Sequence, residues 1–123
     1  MWSILIYKSN TMESLKKNLY FQHVYKRGKS YANKYLVMYV LENNLPYNRV
    51  GISVSKKVGN SVMRHRLTRL IRESYRLHEN MFNSGLDVVV IARMSAAEVK
   101  KCAEIESAML HLGKLHRIII EKK

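Results

Sequence analysis

The sequence predicts an α+β fold, a two-layer α/β sandwich of helices on a sheet, and three observations predict it. Apolar runs at residues 35–41 and 86–93 and an alternating run at 49–55 have the β-branched and aromatic content of strands. Amphipathic stretches from Asn60 to Leu77 and over residues 103–115 have helical spacing. A chain of 123 residues, 47% of them hydrophobic, suits one domain with one modest core.

In chain order, residues 1–12 are read as an N-terminal extension, disordered or owed to start assignment, since Met12 could itself begin the chain. A single domain is expected over residues 13–117 and a C-terminal tail over 118–123. Asn18 is placed as the N-cap and Gly28 as the stop of a short helix covering about residues 19–27. On that helix Phe21 and Tyr25 stack one turn apart, whereas Leu19 and His23 point elsewhere, and either side could be the buried one. The run Tyr35 to Leu41 is apolar on both faces, as a strand covered on both sides would be. The single proline, Pro46, falls in the polar stretch Glu42–Asn48, a turn between two strands. In the next strand Val50, Ile52 and Val54 share one face and should meet the core, while Gly51, Ser53 and Ser55 share the other. That second face is small and polar; it either leaves room for a ligand or is simply solvated. Gly85 introduces a buried strand at Leu86 to Arg93. The connection Ser95 to Cys102 holds at most a helical turn, with Ser95 and Glu98 at capping-box spacing. Ile105, Ala108, Met109, Leu112 and Leu115 then form the packing stripe of the last helix.

Charge narrows the function. The 22 Lys and Arg against nine Asp and Glu give a formal charge of +13, which favours a polyanionic partner: nucleic acid first, an anionic membrane surface second. No apolar run approaches the roughly 20 residues needed to cross a bilayer, and Trp2 to Tyr7 is too short, and lacks the basic start, for a secretory signal. A cytoplasmic protein is therefore expected. The one cysteine, Cys102, excludes an internal disulfide and reads as a small buried thiol. His111 and His116 are not spaced to share a metal on a helix, and no carboxylate cluster accompanies them, so no metal site is assigned to the protein. Asp87 is the only aspartate, and residues 43–72 hold no acidic residue at all. A protein-only nuclease would need a carboxylate cluster or an acid and base pair, so no catalytic residue is assigned.

The same acid-free stretch holds seven basic residues, Arg49, Lys56, Lys57, Arg64, Arg66, Arg69 and Arg72. With Met63 at 0° on a helical wheel, Leu67, Leu70, Ile71 and Leu77 fall within about 80° of it and define the stripe facing the sheet. Opposite them His65, Arg69, Arg72 and Arg76 span an arc of about 60°, a ridge about 16 Å long at 1.5 Å per residue. Arg64 and Arg66 flank it. A face kept only for solubility is usually mixed in sign, yet Glu73 is the one acid among Arg64 to Arg76. Five of the six cationic positions are expected to suit phosphate oxygens as planar arginine forks, so the ridge is read as a polyanion-binding surface.

The segment Val50-Gly51-Ile52-Ser53-Val54-Ser55-Lys56-Lys57-Val58-Gly59-Asn60-Ser61-Val62-Met63-Arg64-His65-Arg66, followed by Arg69, Arg72 and Glu73, resembles the signature of the bacterial ribonuclease P protein component. Phe21-Gln22-His23-Val24-Tyr25 with Gly28, the strand around Tyr39 and Ile91-Ala92-Arg93 extend the likeness over about residues 14–115. The resemblance implies a small protein that joins a large catalytic RNA and helps it cut the 5′ leader from precursor tRNA. It implies chemistry done by magnesium bound to the RNA, with no obligate protein partner. It also implies a sheet of about four strands with a left-handed βαβ crossover, like the second domain of ribosomal protein S5. The family's Arg-Asn-Arg motif, which contacts the catalytic RNA, falls on Arg64, His65 and Arg66, so here imidazole replaces the central amide. Arg69, Arg72 and Arg76 complete that contact surface. The leader-binding positions fall on Phe21, Tyr25 and Tyr39, which makes the Phe21 and Tyr25 pair partly exposed, with Ser53, Lys56 and Lys57 receiving the leader backbone.

Overall fold

The computed structural model describes residues 2–7, 12–14 and 18–120. The elements run β1 (Trp2–Tyr7), β2 (Met12–Ser14), α1 (Asn18–Arg27), β3 (Lys29–Ala32), β4 (Leu36–Glu42), β5 (Asn48–Ser55), α2 (Ser61–His78), β6 (Leu86–Ala92) and α3 (Cys102–Leu115). One sheet carries them in the order β1-β5-β6-β4-β3, with β2 also on β5. Its body is the four strands β5, β6, β4 and β3. Parallel β5 and β6, joined through α2, form a βαβ unit in which Arg49 lies opposite Asp87 and Ser53 opposite Ile91. β4 runs antiparallel to β6, from Leu36 opposite Ala92 to Glu42 opposite Leu86.

β1, within residues 1–12, and β2, which begins at Met12, both lie along β5. β1 pairs antiparallel with β5, from Trp2 opposite Ser55 to Tyr7 opposite Val50, and β2 pairs parallel with the start of β5. The capping role given to Asn18 lies outside the described side chains. At the other end of the chain Ile118 is buried and Ile119 bridges Phe82, so the first residues assigned to the tail pack on the domain. No sequence pattern marks the short strand β3. All four of its residues are exposed, and Lys-Ser-Tyr-Ala carries no apolar alternation to announce it.

Alternation along each strand sends one set of side chains to α2 and α3 and the other to α1. Leu36 and Met38 of β4, Val50, Ile52 and Val54 of β5 and Val88, Val90 and Ala92 of β6 are buried with Leu67, Ile71 and Tyr75 of α2 and with Ile105, Met109 and Leu112 of α3. This is the main core. The second face holds a smaller cluster in which Phe21 and Val24 of α1 pack on Val89, with Tyr25, Tyr39, Leu41 and Ile91 around them. The turn from α1 into β3 needs glycine: a Cβ on Gly28 would stand 2.6 Å from the Val24 carbonyl oxygen and 2.9 Å from that of Val40.

Two polar contacts hold the lower end of the parallel strands. Buried Asn48 donates through Nδ2 to the Tyr75 hydroxyl at 3.0 Å and to the Asn83 carbonyl at 2.8 Å, and its Oδ1 accepts from the Leu86 amide at 2.9 Å. Arg49 grips Asp87 with two bonds of 2.7 Å, Nε to Oδ1 and Nη2 to Oδ2, and Asn43 Nδ2 donates to the same carboxylate at 2.9 Å. A bidentate fork on a buried carboxylate ties β5 to β6.

Three packing expectations shift. Leu77, assigned to the buried stripe of α2, is 58% exposed, and Thr68, Ser74 and Tyr75 are buried instead. The stripe centres near Ile71 because the large Tyr75 ring reaches Phe82, with centroids 5.1 Å apart. On α3, Leu115 is 39% exposed, because Gly113 admits Ile119 across the helix. Cys102 is only partly buried, since it begins α3; its thiol is pushed up by burial and by the neighbouring Glu106 carboxylate. The turn at Met94–Glu98 is a short 3₁₀ helix, and Ser95 uses its hydroxyl on the Lys34 carbonyl rather than on a cap.

Candidate nucleic-acid interface

Asn60 starts α2: its Oδ1 accepts from the Met63 amide at 2.9 Å, satisfying one of the orphan donors of the first turn. Anchored there and packed through Leu67, Ile71 and Tyr75, the helix turns its cationic side outward. His65, Arg69 and Arg76 are exposed, and Arg66 and Arg72 are half-buried along the same side. Arg64 is half-buried, with its Nε buried, on the flank nearest the sheet.

Glu73 accepts from Arg76 Nη2 at 2.7 Å and lies 3.9 Å from Arg72 Nε. The Arg76 hydrogen bond, aided by the charges of Arg76, Arg72 and Arg69, holds its carboxyl below the usual carboxylate range. One acid therefore sets the spacing of two arginines without neutralising the row. A groove of about 320 Å³ follows the helix between Val62, His65, Arg66, Arg69, Leu70 and Glu73, so the cations border a partly apolar floor.

The α1 face differs from its expectation. Phe21 is 4% exposed, so the partly exposed pair with Tyr25 is corrected. Its ring fills the space above Gly51: a Cβ there would fall 2.4 Å from Phe21 Cζ. The absence of a side chain at Gly51 therefore makes a slot for an aromatic ring of the protein itself rather than for a ligand. Ser53 is likewise 1% exposed, so its hydroxyl is closed to a leader backbone. It lies beside the Tyr25 hydroxyl, without a well-formed hydrogen bond.

Tyr25 and Tyr39 remain partly exposed. Their rings meet edge to face with centroids 4.9 Å apart, and Phe21 supports Tyr25 from beneath at 6.2 Å. Burial, and after it the neighbouring Tyr39, raises the Tyr25 hydroxyl above its ordinary value, so it stays a neutral donor at physiological pH. Lys56 and Lys57 are exposed in the turn that leaves β5 for α2. The structure thus brings Tyr25 and Tyr39 together on one face and gathers the cations of α2 on another, with the two lysines at the end of the strand between them. Leu41 and Ile91, which flank Tyr39, carried no distinguishing signal, because both lie in runs apolar at nearly every position.

Among the described residues no group of three or more His, Cys, Asp or Glu could hold a metal ion, and no helix is long and apolar enough to cross a membrane.

A small basic α+β protein with this strand order and an arginine-lined helix has solved counterparts. The RNase P protein of Staphylococcus aureus superposes with a TM-score of 0.79 at 37% identity, over 86% of this chain and 96% of its own. The RNase P protein of Thermotoga maritima superposes with a TM-score of 0.78 at 32% identity, over 89% and 99%. In sequence, the chain is 64% identical over 107 residues to the ribonuclease P protein component of Lachnoclostridium phytofermentans, covering 87% of this chain and 91% of that protein. It is 52% identical over 105 residues to that of Alkaliphilus metalliredigens, covering 85% and 94%. The sequence profile of the Ribonuclease P family matches residues 10–116, and the chain belongs to this family.

Proposed function

We propose that this chain binds the catalytic RNA of ribonuclease P through α2 and the 5′ leader of precursor tRNA through the α1 face, assisting endonucleolytic removal of that leader. The observation that carries the reading is the outward row of His65, Arg66, Arg69, Arg72 and Arg76 on a helix whose opposite side is locked into the core. Arginine forks grip phosphate oxygens through paired hydrogen bonds, and a polyanion relieves the repulsion that the row otherwise carries. Arg64 and Arg66 bracket His65, which takes the place of the family's asparagine; imidazole keeps a donor for phosphate while losing the amide's paired donor and acceptor.

Tyr25 and Tyr39 offer aromatic surface to unpaired bases, a mode that tolerates variable sequence. Lys56 and Lys57 neutralise the leader backbone. Phe21 and Ser53 act beneath this surface, Phe21 by fixing Tyr25 and Ser53 by leaving room for it.

The chemistry belongs to the RNA. The only aspartate is held by Arg49 and Asn43, and Glu73 is held by Arg76. Neither carboxylate is poised as a base or as part of a metal pair. Magnesium bound by the RNA would supply the chemistry of cleavage, and this chain's residues supply position and charge neutralisation.

Reconstitution with ribonuclease P RNA and labelled precursor tRNA tests the reading. The protein should raise cleavage most at low magnesium, where cations are scarce, and should cut nothing alone. Magnesium-dependent cutting by the protein without RNA, lost on substituting its Asp or Glu residues, would overturn it.

A further inference from the structure

One member of the cationic row on α2 carries a charge that is not fixed. Arg66, Arg69, Arg72 and Arg76 stay charged at any physiological pH, whereas His65 is of the side-chain type that ordinarily titrates between pH 5 and 8. His65 is exposed and lines the α2 groove beside Arg66 and Arg69, with Arg69 one turn further along the helix. Among the described residues it takes no hydrogen bond or ion pair, so both ring nitrogens are open to a ligand. Three other histidines are engaged: His78 lies 3.7 Å from Glu106, His111 lies 3.2 Å from Asn33, and His116 lies 2.8 Å from the Met38 carbonyl oxygen. His23 is exposed on α1, away from the row.

The charged groups beside this ring belong to its own helix. Arg66 and Arg69 border the groove, and Glu73, its one acid, is held by Arg76 at 2.7 Å. β5 and α3 pack across the helix from His65, beneath Leu67, Ile71 and Tyr75. There Arg49 is held by Asp87, and Glu106 meets α2 at His78, about 20 Å along the helix from His65. Glu79 follows that same far end. The turn at Met94–Glu98 also packs on α2, with Glu98 as its acid, and β1, which touches α2 as well, has no acidic residue in its sequence. None of these neighbours lines the groove. Without a polyanion, the ring therefore faces arginines and water.

A phosphate seated on the Arg66 and Arg69 forks stands beside this ring and favours imidazolium, which donates through both nitrogens where the neutral ring donates through one. Imidazole thus spares the free row one like charge and returns it when a polyanion arrives. We propose that His65 is a proton-binding site completed by the catalytic RNA, so that the protein takes up a proton as it assembles. This rests on the reading of α2 as the catalytic-RNA surface. A complex that binds more protons than its separate parts is favoured as pH falls. Assembly is therefore tightest at mildly acidic pH and weakens toward pH 8.

The test measures binding of the full chain to ribonuclease P RNA by fluorescence anisotropy, from about pH 5.5 to about pH 8 at fixed magnesium and salt. Two variants bracket the site. His65→Asn keeps a hydrogen-bonding side chain that never charges, and His65→Lys holds the charge on; urea midpoints at each pH check that both fold. Between the two ends of the range the unmodified chain should lose on the order of tenfold more affinity than His65→Asn, the worth of one charge-assisted contact. His65→Lys should bind tightly with a pH profile as flat as that of His65→Asn. The salt slope of the unmodified chain should be steeper at the acidic end by up to about 0.9, as for one more phosphate contact. Matching pH profiles for the unmodified chain and His65→Asn, or a salt slope that does not change with pH, overturns the proposal. Arg69→Glu run in parallel separates the two readings: if it weakens assembly at no pH, the α2 surface itself is wrong, whatever the His65 variants do.

Discussion

α2 and α1 lie on opposite faces of one sheet, and both place distinctive side chains where RNA could reach them, yet only one face was legible in detail. On α2 the charges had one physical option. An unpaired guanidinium is too costly to bury, so once the apolar stripe is found, the charges on the arc opposite it, Arg69, Arg72 and Arg76, must turn toward solvent. On α1 the aromatic rings had two options, because Phe and Tyr are at home in a core or at a surface. The residue opposite decided between them. Gly51, on a strand 30 positions away in sequence, leaves a slot that Phe21 fills, and Phe21 then carries Tyr25 at the rim. Polarity along one helix can be read locally, whereas the burial of an aromatic pair depends on a partner that only the fold supplies.

The sharpest way to break this contrast is Phe21→Ala. Removing a buried ring that fills the space over Gly51 should cost about 3–5 kcal/mol in urea unfolding. A loss below about 1 kcal/mol would mean that the ring contributes little packing and would restore it as an exposed partner of Tyr25.

Arg69→Glu probes the other face. Reversing a charge in the middle of the α2 row should weaken assembly with the catalytic RNA by at least about tenfold, since one charge-assisted contact is worth about 1.5–3 kcal/mol. Gel-shift titration at fixed salt would measure it, while the urea midpoint should barely move because Arg69 is exposed.

Tyr39→Ala should lower affinity for leader-bearing tRNA by about 1–3 kcal/mol per base stacked and leave mature tRNA unaffected. Fluorescence binding to the two RNAs, side by side, gives the comparison directly.

The smallest expected effect concerns His116. Its Nε2 lies 2.8 Å from the Met38 carbonyl oxygen, and burial, helped by Lys29 and opposed by this bond, lowers its pKa from the usual 6.5. The unfolded chain therefore binds a proton here more readily than the folded one. The neutral ring's contribution is complete above pH 6.5 and fades as pH falls through that value toward the lower folded pKa. Urea midpoints should drop between neutral and mildly acidic pH, and His116→Gln should flatten that part of the profile.

Much of the architecture followed from pattern alone. The alternation of Val50, Ile52 and Val54 pointed to the core face of β5, and Asn60 to the start of α2. β3 escaped notice because an exposed edge strand needs no apolar period, and Leu77 was misplaced because the Tyr75 ring rotates the buried stripe of α2. The Arg49 and Asp87 fork was also hidden, since cross-strand neighbours 38 positions apart share no local signal. The resemblance supplied the RNA partner, which no wheel or alternation could name.

The central claim is that the two faces divide the work, α2 holding the catalytic RNA and the tyrosine face holding the leader. It is tested most directly by measuring assembly and substrate affinity in one reconstituted system for Arg69→Glu and Tyr39→Ala. The account predicts that Arg69→Glu loses assembly while the holoenzyme formed at high RNA keeps its preference for leader-bearing substrate, and that Tyr39→Ala assembles normally but loses that preference. Two variants that fail in both measurements to the same degree would contradict it.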